Sequence, residues 1–439
     1  MVPFEVKKGN ATMKFILCII LTLLPYVDAH KKRILIFGGN GFLGSHLVKG
    51  LADSGEDYEI TLVNRGNVYF NSDKDATSYA DKILICDRDT LLRSSCPGLL
   101  GKSKYDVVID FSSYKDQQIE QVIDILKNRV GIYIMISTDA VYEVSEKHHS
   151  ERTREEDSKN EPEDLKKREE LVKNNKYGAA KKGCEERLMV QRERLGFPYV
   201  ILRLADAIGE RDTSYRWWNY QLWMNLHQHF NHKVALPNGV KDHKFSMVYA
   251  GDVAKAIMKI IHEPEVFHDK VINLAYKKDI TLTKILDFMQ KYYKLDKVSY
   301  EHEDEKGFFR YPTAERGPID VTNAEILLDW EPTPFEEAAK ATCEFFDEAM
   351  VNPIYAKERE IALAEFIEET LPESFDDEDM FIYVLTKLYS SAVFNGIDIG
   401  LGEIDSDNLL TETNNEDEDE DIKDLKEELD VKRMQWPDR

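Results

Sequence analysis

The chain has 439 residues, of which 42% are hydrophobic and 10% aromatic, so it is long enough for two or three globular domains. Its formal charge of −24 is uneven, because residues 403–430 hold 14 acidic residues and two lysines, a net charge of −12. No basic stripe accompanies this charge, which argues against nucleic acid as the main partner.

The amino terminus has the composition of a targeting signal. Residues 15–24 are almost wholly apolar, with Lys14 before them and a small-residue cleavage site at 27–29. This run is short for a membrane span, so residues 1–29 are predicted to be a signal peptide, with Met13 as an alternative start. We therefore expect the secretory pathway, either the endoplasmic reticulum lumen or secretion, and no stable membrane span. A cytoplasmic location is the alternative.

Cysteine spacing gives little information about the compartment. The four cysteines that follow the signal form no CxxC pair and no dense framework, which excludes a heavily disulfide-bonded scaffold. These cysteines are Cys86, Cys96, Cys184 and Cys343. No metal site is predicted.

The first strong motif is a strand followed by a glycine-rich turn and a helix. Residues 33–37 are mostly apolar and β-favouring, and an apolar helical face follows the turn. The turn and helix start contain Gly38, Gly41, Phe42, Leu43 and Gly44. This arrangement predicts a dinucleotide site, in which the glycines permit close approach of a pyrophosphate and the helix offers free N–H groups. An ordinary strand-to-helix turn is the alternative.

Helical and strand segments then alternate along the chain. Further strands are predicted at 58–63, 82–86, 105–111, 131–137 and 199–204, with an amphipathic helix at 117–127. Such alternation predicts βαβ units and a parallel sheet, with ligands at the carboxyl ends of the strands. The highly charged residues 143–176 are predicted to form a solvated excursion beside the site, with one helical piece at 163–172. This excursion is either functional or disordered.

The pattern becomes mixed in the second half of the chain. A helix with Trp217, Trp218 and Trp223 could line a substrate pocket, although packing of the helix is the commoner role. The acidic end of the chain is expected to be disordered. The predicted fold is α/β, a Rossmann-type doubly wound parallel sheet with a smaller α+β substrate lobe and a helical, acidic C-terminal extension. The predicted domains are 30–208 for the NAD(P)-binding domain, 209–350 for the substrate lobe and 351–439 for the extension.

Three side chains could carry chemistry. Tyr177 and Lys181 are four residues apart, so on a helix they share one face. An ammonium beside a phenol lowers the phenol pKa from its usual value of about 10, which would make Tyr177 a general acid/base. Thr138 ends the predicted fifth strand and could donate a hydrogen bond to a substrate oxygen. A turn or helix cap is the alternative role of Thr138.

Together these motifs resemble the extended short-chain dehydrogenase/reductases, the NAD-dependent epimerase/dehydratase family. The resemblance rests on Gly38-x-x-Gly41-x-x-Gly44, Ser137-Thr138-x-x-Val141-Tyr142 and Tyr177-x-x-x-Lys181, and it covers about residues 32–348. It implies hydride transfer between a nicotinamide ring and a carbonyl or secondary alcohol, with a sugar or nucleotide sugar among the candidate substrates. It also implies that Tyr177 exchanges the hydroxyl proton, Lys181 holds the nicotinamide ribose and Thr138 orients the substrate oxygen.

The expected cofactor site departs from the family at the second strand. NAD-preferring members have an acid at the end of that strand, whereas this chain has Asn64 and Arg65. A guanidinium suits a 2′-phosphate, so we expect NADP slightly in preference to NAD. Arg65 could instead stack on adenine or face water. Asp87 stands in the place of the family's adenine-contacting Asp.

Two further departures concern the substrate. The related sugar-nucleotide dehydratases carry Glu after Thr-Asp, where this chain has Ala140 after Asp139, which disfavours a 4,6-dehydratase of that type. Asp139 could still assist catalysis or cap the turn. Asp206 stands where many members have Asn, and a carboxylate there would repel a diphosphate, which counts against a nucleotide sugar.

The main alternative to an enzyme is a non-catalytic, cofactor-gated binding or scaffold protein of the family's atypical branch. That branch includes RNA-binding members, but no nucleic-acid partner is expected here because the chain lacks a basic patch. The family also implies a homodimer through a four-helix interface, formed here by residues 117–127 and 177–194.

Overall fold

A computed structural model of the chain describes residues 31–226, 235–237, 239–240, 242–296, 301–303 and 310–370. The predicted signal peptide and acidic tail lie outside these described residues.

Buried β-branched segments build the central sheet. The strands are β1 (Lys32–Phe37), β2 (Tyr58–Asn64), β3 (Lys82–Ile85), β4 (Tyr105–Asp110), β5 (Val130–Thr138), β6 (Tyr199–Leu204), β7 (Asp206–Ile208), β8 (Ala235–Pro237), β9 (Met247–Tyr249), β10 (Lys270–Leu274) and β11 (Glu301–Glu303). Seven of them form one parallel sheet in the order β10-β6-β5-β4-β1-β2-β3. Consecutive residues such as Val107, Val108 and Ile109 are all buried, because helices cover both faces of such a sheet.

The helices between the strands complete the doubly wound arrangement. They are α1 (Phe42–Asp53), α2 (Ser72–Asp75), α3 (Leu92–Ser95), α4 (Asp116–Leu126), α5 (Leu165–Asn174), α6 (Lys176–Glu193), α7 (Arg216–Leu226), α8 (Ala250–His262), α9 (Leu282–Tyr292), α10 (Thr322–Leu328), α11 (Phe335–Val351) and α12 (Ala356–Thr370). The predicted fold class and strand positions are confirmed. None of the described helices is long and apolar enough to cross a bilayer.

The sheet receives its last strand from late in the chain. β10 pairs in parallel with β6, and α8 packs beside α1 in the core that covers one face of the sheet. Residues 250–274 therefore belong with the Rossmann sheet, although the sequence predicted them inside the substrate lobe that begins at residue 209. The physical reason for this correction is that β6 would otherwise be an exposed, hydrophobic edge strand.

A second core, rich in aromatic residues, lies between α7, α9, α11 and α12. Trp217, Trp218 and Trp223 are at most 1% exposed within it, so they pack α7 down as the packing interpretation predicted. The described start of the C-terminal extension, α12, contributes Ile361, Leu363 and Phe366 to the same core, so it is an integral part of the lobe.

The charged excursion at 143–176 is docked rather than wholly solvated. A 3-10 turn at Glu155–Lys159 is largely buried, and Thr153 exchanges backbone hydrogen bonds with Pro318 and Asp320 at 3.0 and 2.8 Å. α5 remains exposed on the surface, as expected for its charged sequence. The prediction of a solvated excursion is therefore wrong for its first part, because Glu155 accepts hydrogen bonds from Arg203 of β6 and Asn273 of β10.

Candidate active site

The glycine turn joins β1 to α1 with very little space. Gly38 has φ of +78°, which glycine adopts without strain, and its N–H donates to the Val63 carbonyl at 2.9 Å. A Cβ on Gly44 would lie 2.2 Å from the Gly38 oxygen, so only glycine permits this contact between turn and helix. α1 begins at Phe42, followed by Leu43, and no described side chain caps it at Gly41. The helix start therefore has backbone N–H groups free to meet a phosphate.

Two buried polar atoms beside this turn have no partner among the described residues. They are Nδ2 of Asn64, at the end of β2, and Oγ of Ser113, just after β4. Leaving a buried donor unpaired costs free energy, so such atoms indicate a missing ligand. The carboxyl ends of β1, β2 and β4 are also where a Rossmann sheet binds a dinucleotide, so these residues fit the predicted cofactor.

The other predicted cofactor residues lie at the same edge of the sheet. Arg65 is exposed directly after β2. Asp87 is exposed directly after β3, and its carboxylate accepts the Asp89 N–H at 2.9 Å. Both side chains are therefore available from solvent on the adenosine side of the site.

The three predicted catalytic residues meet at the carboxyl end of β5. Thr138 closes this strand, and its hydroxyl accepts the Ala140 N–H at 3.1 Å and also hydrogen-bonds the Tyr177 side chain. Lys181 is 3% exposed and donates from Nζ to the Ile136 carbonyl at 2.9 Å. Thr138 thus serves as a cap, which was its alternative interpretation, while it also contacts the phenol.

Burial opposes the expected lowering of the Tyr177 pKa. Burial raises the pKa of Tyr177, the neighbouring Tyr114 raises it further, and the Arg216 guanidinium and the hydrogen bond with Thr138 only partly oppose this. Burial also lowers the pKa of Lys181, which weakens an ammonium as a source of positive charge. In the protein alone, Tyr177 is therefore a protonated phenol at neutral pH.

Tyr114 is a site residue that the sequence analysis missed. Its ring lies 4.8 Å from the Lys181 Nζ, in a cation–π contact, and it is 41% exposed. Burial and then the Asp110 carboxylate raise the pKa of Tyr114, and the Arg65 guanidinium opposes that shift. Its only signal in the sequence is its position shortly after β4.

A buried ion pair fixes the helix that carries Tyr177. Glu185 lies on α6, and Arg203 of β6 donates to both of its oxygens at 2.6 and 3.0 Å, with both side chains 2% exposed. Ser137 of β5 donates to the same carboxylate at 2.5 Å. α6 is therefore held in register against β5 and β6, which sets Tyr177 against Thr138.

A second buried ion pair lies beneath the cofactor side. Arg88 donates to Asp110 at 2.6 Å and to Ser112 at 3.0 Å, and its guanidinium lies 4.5 Å from the centre of the Phe37 ring. Tyr133 donates to the other oxygen of Asp110. These contacts fix the ends of β1 and β4 relative to the turn after β3.

A disulfide closes that turn. Cys86 and Cys96 are bonded, with their Cα atoms 5.1 Å apart and a sequence separation of 10, and the loop between them carries Asp87 and Arg88. Cys184 is a buried free thiol, as is Cys343. The sequence did not reveal this pairing, since a spacing of ten residues carries no recognisable motif.

A buried carboxylate, that of Asp206, is paired with a guanidinium. Asp206 accepts a hydrogen bond from Arg216 at 2.7 Å and two from Thr313, one of them from the backbone N–H at 2.8 Å. The expectation that Asp206 would repel a diphosphate is therefore wrong, because its charge is paired within the protein. The guanidinium of Arg216 lies 5.1 Å from the centre of the Tyr311 ring, and the guanidinium of Arg310 lies beside the side-chain amide of Asn219.

Within the part of the chain that the structure describes, no group of three or more His, Cys, Asp or Glu side chains is arranged to hold a metal.

A glycine-rich turn, unpaired polar atoms and a Thr-Tyr-Lys set at one edge of a parallel sheet are the features of a dinucleotide-dependent enzyme with a Rossmann fold. The model of the NAD-dependent epimerase/dehydratase family matches residues 34–275, which is more than half of the chain. The chain therefore belongs to this family, a family of enzymes, and the predicted resemblance is confirmed.

Curated relatives agree with this assignment at low identity. The chain is 21% identical over 337 residues to a trifunctional UDP-glucose 4,6-dehydratase/3,5-epimerase/reductase of Arabidopsis thaliana, covering 72% of this chain and 47% of that protein. It therefore spans about half the length of this plant relative. It is 23% identical over 349 residues to the dTDP-D-glucose 4,6-dehydratase of Mus musculus, covering 72% of this chain and 88% of that protein.

Solved structures show the same fold. A UDP-glucuronic acid 4-epimerase from Bacillus cereus in complex with NAD has a TM-score of 0.55 and 17% identity, covering 74% of this chain and 99% of that chain. The dTDP-glucose 4,6-dehydratase from Bacillus anthracis in complex with NAD has a TM-score of 0.56 and 16% identity, covering 72% and 97%.

Proposed function

We propose that the protein catalyses hydride transfer between a nicotinamide cofactor and a secondary alcohol or carbonyl of a nucleotide sugar. The observation that carries this proposal is the meeting of Thr138, Tyr177 and Lys181 at the carboxyl edge of the sheet, with Thr138 hydrogen-bonded to the phenol. In this reaction Tyr177 exchanges the proton of the reacting hydroxyl, Thr138 orients the substrate oxygen and Lys181 holds the nicotinamide ribose.

The protonation state of Tyr177 suits one direction of this reaction directly. Because burial raises its pKa, the phenol carries its proton at neutral pH and can donate it to a substrate oxygen that is being reduced. The opposite direction needs the phenolate, and a positive charge placed beside the phenol would favour it. When bound, the cofactor supplies the hydride chemistry and, in its oxidised form, that positive charge.

Several features support a nucleotide sugar as the substrate. Asp206 is paired with Arg216, so the carboxylate no longer opposes a diphosphate. Arg310 places a further guanidinium group in the lobe, and guanidinium groups bind phosphate well. The curated relatives are described as enzymes of UDP- and dTDP-linked sugars.

The turn after Thr138 bears on the type of reaction. Ala140 follows Asp139, so the acid/base pair of the related 4,6-dehydratases is incomplete at this turn. We therefore favour epimerisation or simple oxidoreduction over dehydration. Asp139 is 6% exposed and is the first residue of the 3-10 turn that contains Ala140, so its side chain is buried rather than exposed to solvent.

For the cofactor, we propose a modest preference for NADP over NAD. Arg65 is exposed at the end of β2, and the acid that favours NAD is replaced by Asn64. The amide oxygen of Asn64 accepts the Gly66 N–H at 2.9 Å, which leaves Nδ2 as its contribution to a ligand. A guanidinium at this position can pair with a 2′-phosphate.

We also propose that the protein works in an oxidising compartment of the secretory pathway. Disulfides persist in such compartments and are rare in the cytosol, and the structure contains the Cys86–Cys96 bond. The signal peptide predicted at residues 1–29 supports the same location.

The proposed chemistry is tested by a Tyr177→Phe variant of the full chain. Wild-type protein is titrated with NAD and NADP and then assayed with a panel of UDP- and dTDP-sugars. Removing the hydroxyl should lower kcat/KM by about 10²–10⁴-fold while the dinucleotide affinity changes little, because proton exchange alone is lost.

Tyr79→Phe is the matched control, since Tyr79 is 43% exposed and is not among the predicted site residues. Unchanged turnover in Tyr177→Phe would show that the assigned role is wrong. Wild-type protein that binds a dinucleotide but turns over none of the sugars would instead favour the non-catalytic, cofactor-gated alternative.

A further inference from the structure

The segment 65–71, here called the strap, leaves the Rossmann sheet in an unusual conformation. Gly66 has φ of +88°, and Phe70 and Asn71 have φ of 45° and 59°, just before α2. Consecutive non-glycine residues in the left-handed region are disfavoured and persist only where their surroundings hold them. The surroundings hold the strap at both of its ends.

The first end of the strap is bonded to the glycine turn. Asn40, which is 6% exposed, donates from Nδ2 to the Asn67 carbonyl at 2.5 Å. Asn67 in turn donates from its side chain to the Tyr69 hydroxyl at 2.9 Å. A dinucleotide in a Rossmann sheet passes between the ends of β1 and β2, and this bond joins the loops that follow those two strands. The strap therefore lies across the cofactor cleft.

The second end of the strap is anchored in the substrate lobe. The Phe70 side chain is fully buried, and its N–H donates to the Glu358 carboxylate of α12 at 2.8 Å. Five aromatic rings surround the Phe70 ring at centroid distances of 5.3 to 6.0 Å: Tyr215, Trp218, Phe345, Phe346 and Tyr355. These rings belong to α7, α11 and their flanking turns, so the anchor joins the Rossmann domain to the lobe.

Two residues of the strap act on Tyr114, the aromatic neighbour of Lys181. Arg65 and Tyr69 both act electrostatically on the Tyr114 phenol, whose ring lies 4.8 Å from the Lys181 Nζ. The strap thus joins the glycine turn to the lobe.

We propose that the strap is a clasp that must leave its aromatic anchor before a nicotinamide dinucleotide can enter or leave the cleft. This role rests on the proposed function, because it takes that site as a dinucleotide site. Since opening requires the burial of Phe70 to be lost, cofactor exchange is slow compared with turnover.

The clasp is tested by the rate at which the full chain releases NADH. Protein loaded with NADH is mixed with excess NAD, and the loss of NADH fluorescence is followed in wild type, Phe70→Ala and Phe70→Leu. Phe70→Ala should release NADH at least tenfold faster, and Phe70→Leu should lie between it and wild type.

Phe335→Leu is the matched control, because Phe335 is buried in the same aromatic core. Its ring contacts the rings of Trp217, Tyr276 and Phe288, all of which lie outside the strap. Its release rate should equal that of wild type. Equal rates in all four proteins would overturn the clasp while leaving the proposed function intact.

Hydrogen exchange of the wild-type chain provides a measurement that needs no variant. Bound NADH should slow amide exchange in residues 65–72 as well as in the glycine turn. Protection of the glycine turn alone would contradict the clasp. A wild-type chain that binds no dinucleotide would overturn both the clasp and the proposed function.

Discussion

At the scale of single residues, the proposed chemistry depends on the protonation state of the Tyr177 phenol. The sequence placed Tyr177 and Lys181 on one helical face, but a pattern of residues carries no information about burial. In the structure, burial raises the pKa of Tyr177, and the Lys181 Nζ donates a hydrogen bond to the Ile136 carbonyl. The location of these residues was therefore predictable, whereas their protonation was not.

Asp139 gives a residue-scale prediction on pH. Burial, and then the carboxylates of Asp206 and Glu143, raise the pKa of Asp139 well above its ordinary value. A group with a raised folded-state pKa favours folding below its unfolded pKa of about 3.9 and loses that contribution as pH rises. Asp139→Asn, which cannot ionise, should therefore be more stable than wild type at pH 8, and this advantage should shrink towards pH 4.

Urea denaturation of both proteins at pH 4, 6 and 8 measures this difference. Asp73→Asn, an exposed carboxylate on α2, is the control and should show no comparable dependence on pH. A stability difference between Asp139→Asn and wild type that stays constant from pH 4 to pH 8 would show that Asp139 is not held neutral by the fold.

At the scale of elements, local patterns were sufficient for most of the sheet. The strand at 199–204 was predicted with its observed bounds, because the apolar pattern that identifies a strand depends on residues that are near one another in sequence. The return of residues 270–274 to the sheet and the anchoring of Phe70 were not predicted. Both depend on contacts between residues far apart in the chain, which no local periodicity records.

The pairing of α6 with β6 gives a prediction at this scale. Glu185→Gln would leave the buried Arg203 guanidinium without its charged partner, and such a loss costs about 3–5 kcal/mol of the free energy of unfolding. Replacing both residues, as Glu185→Leu with Arg203→Met, should restore much of that loss because no buried charge remains.

Urea denaturation compares these proteins with Asp53→Asn, which breaks the exposed pair with Lys49. That control should change stability by only about 0.3–0.5 kcal/mol. If Glu185→Gln were no more destabilising than the control, the pair would not be what holds α6 and Tyr177 in place.

At the scale of the whole molecule, one covalent bond connects stability to compartment. Loss of the Cys86–Cys96 bond, as Cys86→Ser with Cys96→Ser, should lower the free energy of unfolding by about 2–3 kcal/mol, since the unfolded chain is no longer restrained by this short loop. Cys184→Ala is the control, and its response to a reductant should match that of wild type.

Peptide mapping without reduction, on protein recovered from cells, shows whether the bond forms in place. Recovery of Cys86 and Cys96 as free thiols would contradict both the bond and the proposed oxidising compartment. The homodimer implied by the family stays a prediction, although α4 and α6 do pack side by side in the structure.

At the same scale, the family could be predicted from the sequence, whereas the substrate could not. Three short motifs, each formed by neighbours in sequence, were enough to identify the family. The substrate side depends on partners such as Arg216 for Asp206, which lie ten residues apart and meet only in the folded lobe.

A crystal structure of the full chain grown with NAD tests the central claim most directly, because the claim is spatial. We predict a pyrophosphate on the N–H groups that start α1, the nicotinamide ring beside the Tyr177 hydroxyl and the ribose within hydrogen-bond distance of the Lys181 Nζ. Tyr114 would then have moved aside or packed on the ribose. A nicotinamide ring far from Tyr177, or a cleft that Tyr114 and the strap still fill with NAD bound elsewhere, would contradict the enzymatic role.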